Sequence, residues 1–369
     1  MKALCATENG TRQYSAKFPE LEKAGHFRDF MGLKVSSIGL GTYLGGQNEQ
    51  DDALYIEAIQ TALLSGCNLI DSAINYRCMR SERNIGAALK ALVGQGKISR
   101  EEIVICTKGG FIPFDGNQPA NPQKYFQDEY FNPGICGPGD IIAGCHCMTP
   151  SYLRNQVERS LRNMGVDSID LYHVHNPETQ LDEVARDEFL FRLEKAFGEL
   201  EKLAAEGKIK AYGTATWNGY RVPSGSQEYL SFQDVLKTAE RAGGASHHFK
   251  AIQLPFNLGM GEAVGLSNQV IGSQTVSILE AAKANGIAVF TSASILQARL
   301  SRNLPPFVAE ALPGFQTDSQ RALQFVRSTP GVTAALVGMK RKEHVAENLK
   351  TAGFPPASAE QLEKFFSEK

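Results

Sequence analysis

The chain lacks an excess of charge of either sign, and it lacks any long apolar run. Lys and Arg number 38 against 40 Asp and Glu, for a formal net charge of −2. A nucleic-acid-binding surface needs a basic stripe, which this balance does not favour. A transmembrane helix needs about 18 or more consecutive apolar residues, and no such run occurs. The sequence therefore predicts neither a nucleic-acid partner nor a membrane partner.

The first residues lack the apolar segment of a secretory signal. The seven cysteines are odd in number and scattered, which is typical of free thiols in a reducing compartment. We therefore expect a cytoplasmic protein, while no pattern indicates its oligomeric state. Internal repeats and Gly/Ser linkers are also absent, so the simplest prediction is one domain over residues 1–369.

Short runs rich in β-branched residues alternate with amphipathic segments along most of the chain. The runs cover 36–42, 67–73, 102–110, 168–175, 208–216, 250–257, 286–294 and 331–338. The amphipathic segments cover 51–64, 81–92, 150–164, 188–206, 227–241, 276–285, 319–328, 342–349 and 358–366. Such alternation implies parallel strands with right-handed crossovers. Eight units predict an α/β fold of the (β/α)8 TIM-barrel type rather than an open sheet.

Two segments interrupt this alternation. Residues 1–35 form an N-terminal extension, and we predict a hairpin there that plugs the lower end of the barrel. Residues 111–149 form a long loop after the third strand, on the face where barrel active sites form. Long loops there usually carry function, so we predict a lid over the substrate. Its aromatic residues are expected to wall the pocket: Phe111, Phe114, Tyr125, Phe126, Tyr130 and Phe131.

Titratable residues end three consecutive predicted strands. Asp71 ends the second, Lys108 the third and His175 the fourth, and Tyr76 follows Asp71 in the loop. Taken singly, each has an ordinary structural explanation, such as a turn cap for Asp71. Because neighbouring strand ends share one rim of a barrel, we expect all four to converge.

Such a cluster fits the reduction of a carbonyl, which needs a hydride on carbon and a proton on oxygen. A phenol with its ordinary pKa of about 10 is a weak acid at neutral pH, and a nearby lysine is expected to lower the pKa of Tyr76. Asp71 would keep Lys108 charged, and His175 would orient the substrate oxygen.

The sequence resembles the aldo-keto reductase family over roughly residues 30–350. GLKVSSIGLGTYLGG, LIDSAINY, ICTKGG, DLYHVHNPE, IQLPFN and VGMKRKEHVAENL occur in the order of the family's motifs. The resemblance implies an NAD(P)H-dependent oxidoreductase that reduces an aldehyde or ketone, with the tetrad Asp71, Tyr76, Lys108 and His175 and with Tyr76 as general acid.

No G-x-G-x-x-G follows the first strand, so a Rossmann site is not indicated. The resemblance implies instead an extended dinucleotide across the rim, NADP being expected and NAD the alternative. Lys340 and Arg341 would attract a 2′-phosphate, or else are ordinary cations at a helix start. The implied cofactor contacts are Gly41, Thr42, Thr216, Gln253, Ser292, Gly338, Lys340, Glu347 and Asn348.

The chain departs from the family pattern at three places. Ala215-Thr216 stands where Ser-Asn often follows strand five, and Thr291-Ser292 lacks the tyrosine that commonly stacks on the nicotinamide. His344 stands where an arginine is common. Asn176-Pro177-Glu178 follows the catalytic histidine where many relatives have tryptophan, which predicts a more polar pocket and a sugar or hydroxy-aldehyde substrate.

Other interpretations remain open. His173 and His175 point to one face of a strand, as in a metal-dependent TIM-barrel hydrolase, but no further histidine ends a strand. Cys136 and Cys145-His146-Cys147 match no zinc spacing, so we predict buried thiols and no metal site. A non-catalytic cofactor-binding barrel subunit is the third possibility.

Overall fold

The computed structural model describes residues 5–367 of the chain. Within them, the strands in chain order are β1 (Phe27–Phe30), β2 (Leu33–Ser36), β3 (Ile38–Gly41), β4 (Leu69–Asp71), β5 (Val104–Gly109), β6 (Ile169–His175), β7 (Ile209–Ala215), β8 (Phe249–Pro255), β9 (Gln269–Ile271), β10 (Gln274–Val276), β11 (Ala288–Ser292) and β12 (Ala334–Gly338).

The α-helices of the same residues are α1 (Glu8–Ala16), α2 (Pro19–Lys23), α3 (Glu49–Leu64), α4 (Arg80–Gly94), α5 (Pro122–Phe126), α6 (Pro150–Met164), α7 (Arg186–Ala205), α8 (Phe232–Gly243), α9 (Glu262–Gly265), α10 (Ile278–Ala284), α11 (Pro306–Ala311), α12 (Asp318–Ser328), α13 (Lys342–Leu349) and α14 (Ala359–Ser367). None of the helices described is long and apolar enough to cross a membrane.

Eight of the described strands close into a parallel barrel in the order β3, β4, β5, β6, β7, β8, β11 and β12, with β12 pairing back to β3. Every run predicted as a strand overlaps one of them, so the predicted TIM barrel is confirmed. Gly213 on β7 is required by close approach, because a Cβ there would lie 2.0 Å from the Ala251 carbonyl oxygen on β8.

Local sequence sets the ends of two of the helices, α6 and α8. Pro150 occupies the first turn of α6, and Gly165 ends that helix with a φ of 63°. The prediction for α8 was wrong at its start, because 227–231 are not helical. Ser231 caps the helix by accepting from the Asp234 amide, and the Leu230 amide donates instead to the Gly219 carbonyl.

The N-terminal extension closes the lower end of the barrel. β1 and β2 form an antiparallel hairpin, as predicted, and α1 and α2 precede it. Phe30, Leu33 and Val35 pack with first-layer barrel residues such as Leu69 and Val104. The first four residues of this extension lie outside the described part of the chain. Because side chains fill the lower end, an open site can form only at the opposite end of the barrel, where the strands have their carboxyl ends.

Candidate active site

A cavity of about 920 Å³ lies at the carboxyl ends of the barrel strands. Its size is within the range of small-molecule and cofactor sites, about 300–1,000 Å³. The four residues predicted for catalysis and the nine predicted as cofactor contacts line it: Gly41, Thr42, Asp71, Tyr76, Lys108, His175, Thr216, Gln253, Ser292, Gly338, Lys340, Glu347 and Asn348.

Strand register brings the acid and the amine together. β4 and β5 place Asp71 opposite Cys106, and Lys108 follows two residues later on the same face. The Lys108 Nζ donates to both carboxylate oxygens of Asp71, at 2.8 and 2.7 Å, and to the Ser72 carbonyl at 2.6 Å. Both side chains are buried. Burial disfavours the ammonium, but attraction to Asp71 and Tyr76 outweighs it and raises the pKa of Lys108.

The Tyr76 phenol lies directly beside this ion pair. The Lys108 Nζ is 5.2 Å from the centroid of its ring, and the His175 ring centroid is 5.8 Å away. Burial raises the pKa of Tyr76, and the opposing effect of Lys108 is smaller. Lys108 therefore acts in the expected direction, but the prediction that it brings the phenol below its ordinary pKa is wrong. The phenol is protonated at neutral pH.

A left-handed turn fixes Tyr76 in place. Arg77, Cys78 and Met79 have φ values of 51°, 55° and 68°, which for such residues cost of order 1–3 kcal/mol each. The Arg77 Nε donates to the Gly46 carbonyl at 2.8 Å, and its Nη2 pairs with Asp52 at 2.6 Å. These bonds to the β3–α3 loop and to α3 offset the strain and hold the turn against its neighbours.

His175 is a neutral imidazole at the end of β6. Burial and the nearby Lys108 cation place the pKa of His175 well below its ordinary value. Its Nδ1 is buried with no partner in the protein. His173 lies two residues earlier on the same face, level with Lys108. Burial also lowers the pKa of His173, which does not line the cavity.

The Cys-His-Cys element supports the strand that carries His175. The His146 Nε2 donates to the His175 carbonyl at 2.7 Å, while the Gln180 amide donates to His146 Nδ1 at 2.9 Å. Cys136 and Cys147 are buried free thiols, as predicted. Across residues 5–367, no three His, Cys, Asp or Glu side chains group closely enough to hold a metal ion. His146 is thus a positioning residue in this structure.

Glu178 has a role that sequence reasoning missed. Its Oε1 accepts hydrogen bonds from three successive amides of the loop after β7: Trp217 at 2.6 Å, Asn218 at 3.1 Å and Gly219 at 3.3 Å. Burial raises the pKa of Glu178 to about 7 against the effect of these amides. The polar-pocket prediction is therefore wrong for Glu178, which faces backbone, whereas Asn176 does line the cavity.

The far end of the cavity is formed by residues that mostly follow β11 and β12. The Ser319 hydroxyl donates to the Asn348 Oδ1 at 2.7 Å, and the Lys340 Nζ pairs with Asp51. Arg341, predicted beside Lys340 as a phosphate ligand, does not line the cavity. Sequence reasoning also missed Ser319 and Arg302, which both line the cavity.

The long loop over 111–149 contributes less to the cavity than predicted. Phe111 lines it, with its ring 5.1 Å from the ring of His175. The other five aromatic residues lie outside the cavity lining, so their predicted role as its wall is wrong. They pack on one another and on α6, as when the Tyr130 ring lies 5.8 Å from that of Tyr152. The lid remains a prediction for this segment.

Comparisons with known proteins identify the family and the fold. The sequence profile of the aldo/keto reductase family matches residues 37–224, just over half of the chain. The NADH-specific methylglyoxal reductase of Escherichia coli is 28% identical over 55% of this chain and 54% of its own length. The 6-dehydroglucose reductase of Agrobacterium fabrum is 27% identical over 50% of this chain and 51% of its own. The chain spans about half the length of the curated relatives it matches.

Solved structures show the same fold along nearly the whole chain. An aldo/keto reductase from Klebsiella pneumoniae, crystallised with NADP and acetate, has a TM-score of 0.61 and 20% identity, covering 92% of this chain and 94% of that one. A holo aldo-keto reductase from Bacillus halodurans has a TM-score of 0.63 and 19% identity, covering 92% and 95%. By the family profile and its strand-end motifs, the chain belongs to the aldo/keto reductase family.

Proposed function

We propose that the protein is an NAD(P)H-dependent oxidoreductase that reduces an aldehyde or ketone of small size. The observation that carries the proposal is the position of Tyr76 and His175 at one cavity, beside the buried Lys108–Asp71 pair. The names of the matched relatives, two of them reductases of small oxygenated carbonyl compounds, support the same reaction.

The cavity fits a dinucleotide. Gln253 is buried among its lining residues, and the Gln253 Oε1 has no hydrogen-bond partner. An unpaired buried acceptor costs about 1–3 kcal/mol, and a carboxamide N–H would satisfy it. From Gln253 the lining continues to Lys340 and to Glu347 and Asn348 on α13, where an adenosine end would be held.

When bound, a reduced nicotinamide supplies the hydride that the carbonyl carbon receives. The protein supplies the proton and the orientation. Neutral His175 has one N–H to donate to the carbonyl oxygen, and Tyr76, protonated at neutral pH, is the group that gives that oxygen its proton. Lys108 stabilises the phenolate left behind, while Asp71 holds the ammonium in place.

The substrate end of the cavity combines aromatic walls with unpaired polar atoms. Tyr43, Phe111 and Trp217 supply the apolar surface. Asn75 lines the cavity one residue before Tyr76, and the Asn75 Oδ1 is buried without a partner. A carbonyl oxygen of this kind requires a donor, which a hydroxyl next to the reacting carbonyl would provide. We therefore propose hydroxy-aldehydes and sugar-like aldehydes as the substrate class.

Asn75→Leu tests that substrate class. Leucine keeps the size of the side chain but offers no acceptor, so kcat/KM for glyceraldehyde should fall about tenfold to a hundredfold, the equivalent of one lost buried hydrogen bond. Propanal, which has no hydroxyl, is the matched control substrate and should be reduced as before. Equal losses on both aldehydes would contradict a hydroxyl-recognising role for Asn75.

The proposed function itself is tested by titration and turnover. Trp217 is the one tryptophan in the sequence and lines the cavity, so its fluorescence reports dinucleotide binding directly. NADH and NADPH should both be tried, followed by a panel of aldehydes, ketones and sugars. Binding with no turnover on any carbonyl would favour the non-catalytic barrel subunit. Absence of binding would contradict the proposal.

A further inference from the structure

Lys340, a cation at the far end of the cavity, is already paired. Lys340 lies two residues after the end of β12. Its Nζ is 2.9 and 3.0 Å from the two carboxylate oxygens of Asp51, which belongs to the first turn of α3. Lys108 is the corresponding cation at the catalytic end, and it is held by Asp71. Arg302 lines the cavity as well, with no ion pair to any described residue.

The carboxylate of Asp51 is fixed and ionised. Asp51 is 8% exposed, and the Gly46 amide donates a hydrogen bond to its Oδ2. The hydrogen bond from Lys340, assisted by that amide and by the Arg77 cation, lowers the pKa of Asp51 below its ordinary value despite partial burial. The group is therefore negative throughout the neutral range, and it faces Lys340, Arg77 and the Gly46 amide.

We propose that Asp51 sets the cofactor preference of this protein by neutralising Lys340, which weakens binding of NADPH relative to NADH. This inference rests on the proposed dinucleotide-dependent function. The two cofactors differ only at the 2′ position of the adenosine ribose, where NADPH carries a phosphate and NADH a hydroxyl.

The physical reason is competition between anions. A 2′-phosphate carries close to two negative charges at pH 7 and binds more weakly to a cation that already has a counter-ion. To use Lys340 it must share that ammonium with the Asp51 carboxylate, which repels it. A 2′-hydroxyl carries no charge and meets no such repulsion. His344 stands at a nearby position where an arginine is common.

Asp51→Asn is the direct test. Asparagine still accepts from the Gly46 amide but frees the Lys340 charge. The ratio of Kd for NADH to Kd for NADPH, followed by Trp217 fluorescence, should rise about tenfold over the wild-type ratio. Adenosine 2′,5′-bisphosphate against 5′-AMP, measured by calorimetry, should show the same change without any nicotinamide or turnover. Asp51→Ser, which also keeps an acceptor, serves if the asparagine variant does not fold.

Two further variants identify the cause. In Asp51→Asn/Lys340→Gln the ratio should return close to the wild-type value, because the gain depends on the freed ammonium. Glu49→Gln is the matched control: it removes a negative charge from the same helical turn, at an exposed position that forms no ion pair with Lys340, and should change the ratio less than twofold.

The outcomes separate the two proposals. If both dinucleotides bind and Asp51→Asn leaves the ratio within twofold of wild type, the role of Asp51 is wrong and the proposed function stands. An equal rise of the Kd ratio in Glu49→Gln would also contradict the role of Asp51, since the loss of any negative charge from this helical turn would then explain the change. If neither dinucleotide binds the wild-type protein, both proposals fail together.

Discussion

Tyr76→Phe should lower turnover about 10²-fold or more, the usual contribution of general acid catalysis. The substitution removes one hydroxyl and keeps the ring that packs against Tyr43 and His175. Cofactor affinity should be nearly unchanged, because the cavity extends far beyond the phenol. Steady-state kinetics with saturating cofactor, together with the fluorescence titration, give both quantities.

The pH profile provides a second reading of the same residue. Reduction needs the protonated phenol, and because burial raises the pKa of Tyr76, that form persists through neutral pH and is lost only as pH rises above about 10. The wild-type kcat/KM for reduction should therefore show no loss from Tyr76 ionisation across the neutral range.

Tyr125→Phe is the matched control for Tyr76→Phe, since it removes a buried hydroxyl that lies outside the cavity lining. Near-wild-type turnover in Tyr76→Phe would exclude it as the general acid.

The catalytic end could be predicted because it depends on strand order alone. Once alternating strands and helices indicated a parallel barrel, Asp71, Lys108 and His175 had to end neighbouring strands on one rim. Tyr76 follows one of these ends by only five residues, so little chain separates it from the site. The register then accounts for the contact between Asp71 and Lys108 without further information.

Other parts of the site depend on contacts between distant segments, which periodicity does not report. Asp51 and Lys340 are joined across 289 positions of sequence, and Glu178 contacts a loop about 40 residues later. In the sequence, Asp51 looks like an ordinary surface charge, and Glu178 looks like a residue of the pocket. The prediction that aromatic residues of the 111–149 loop wall the cavity was wrong for a related reason. Aromatic residues favour burial, but their number in a segment does not indicate whether they pack at the rim of the barrel or against a helix.

Lys108→Met and Asp71→Asn should each lower kcat/KM about a hundredfold, and the double variant should lose little more than the worse single variant. Each residue acts through its partner, because Lys108 needs its counter-ion to remain charged in a buried position, and the Asp71 carboxylate hydrogen-bonds Lys108 and Gln253. The measurement is a double-mutant cycle in log kcat/KM. Additive losses would show that the two side chains act independently.

Stability gives an independent reading of the same pair. Removing one partner leaves an unpaired buried charge, which typically costs about 3–5 kcal/mol, whereas removing both should cost less. The free energy of unfolding, measured in denaturant, should therefore be higher for the double variant than for at least one single variant. Arg100→Met is the matched control. Arg100 forms an ion pair with buried Asp170 at a distance of 2.8 Å, and neither residue lines the cavity. It should lose stability while keeping its kcat/KM. If Arg100→Met loses activity as Lys108→Met does, the kinetic losses reflect a weakened barrel, and the proposed catalytic coupling between Lys108 and Asp71 is wrong.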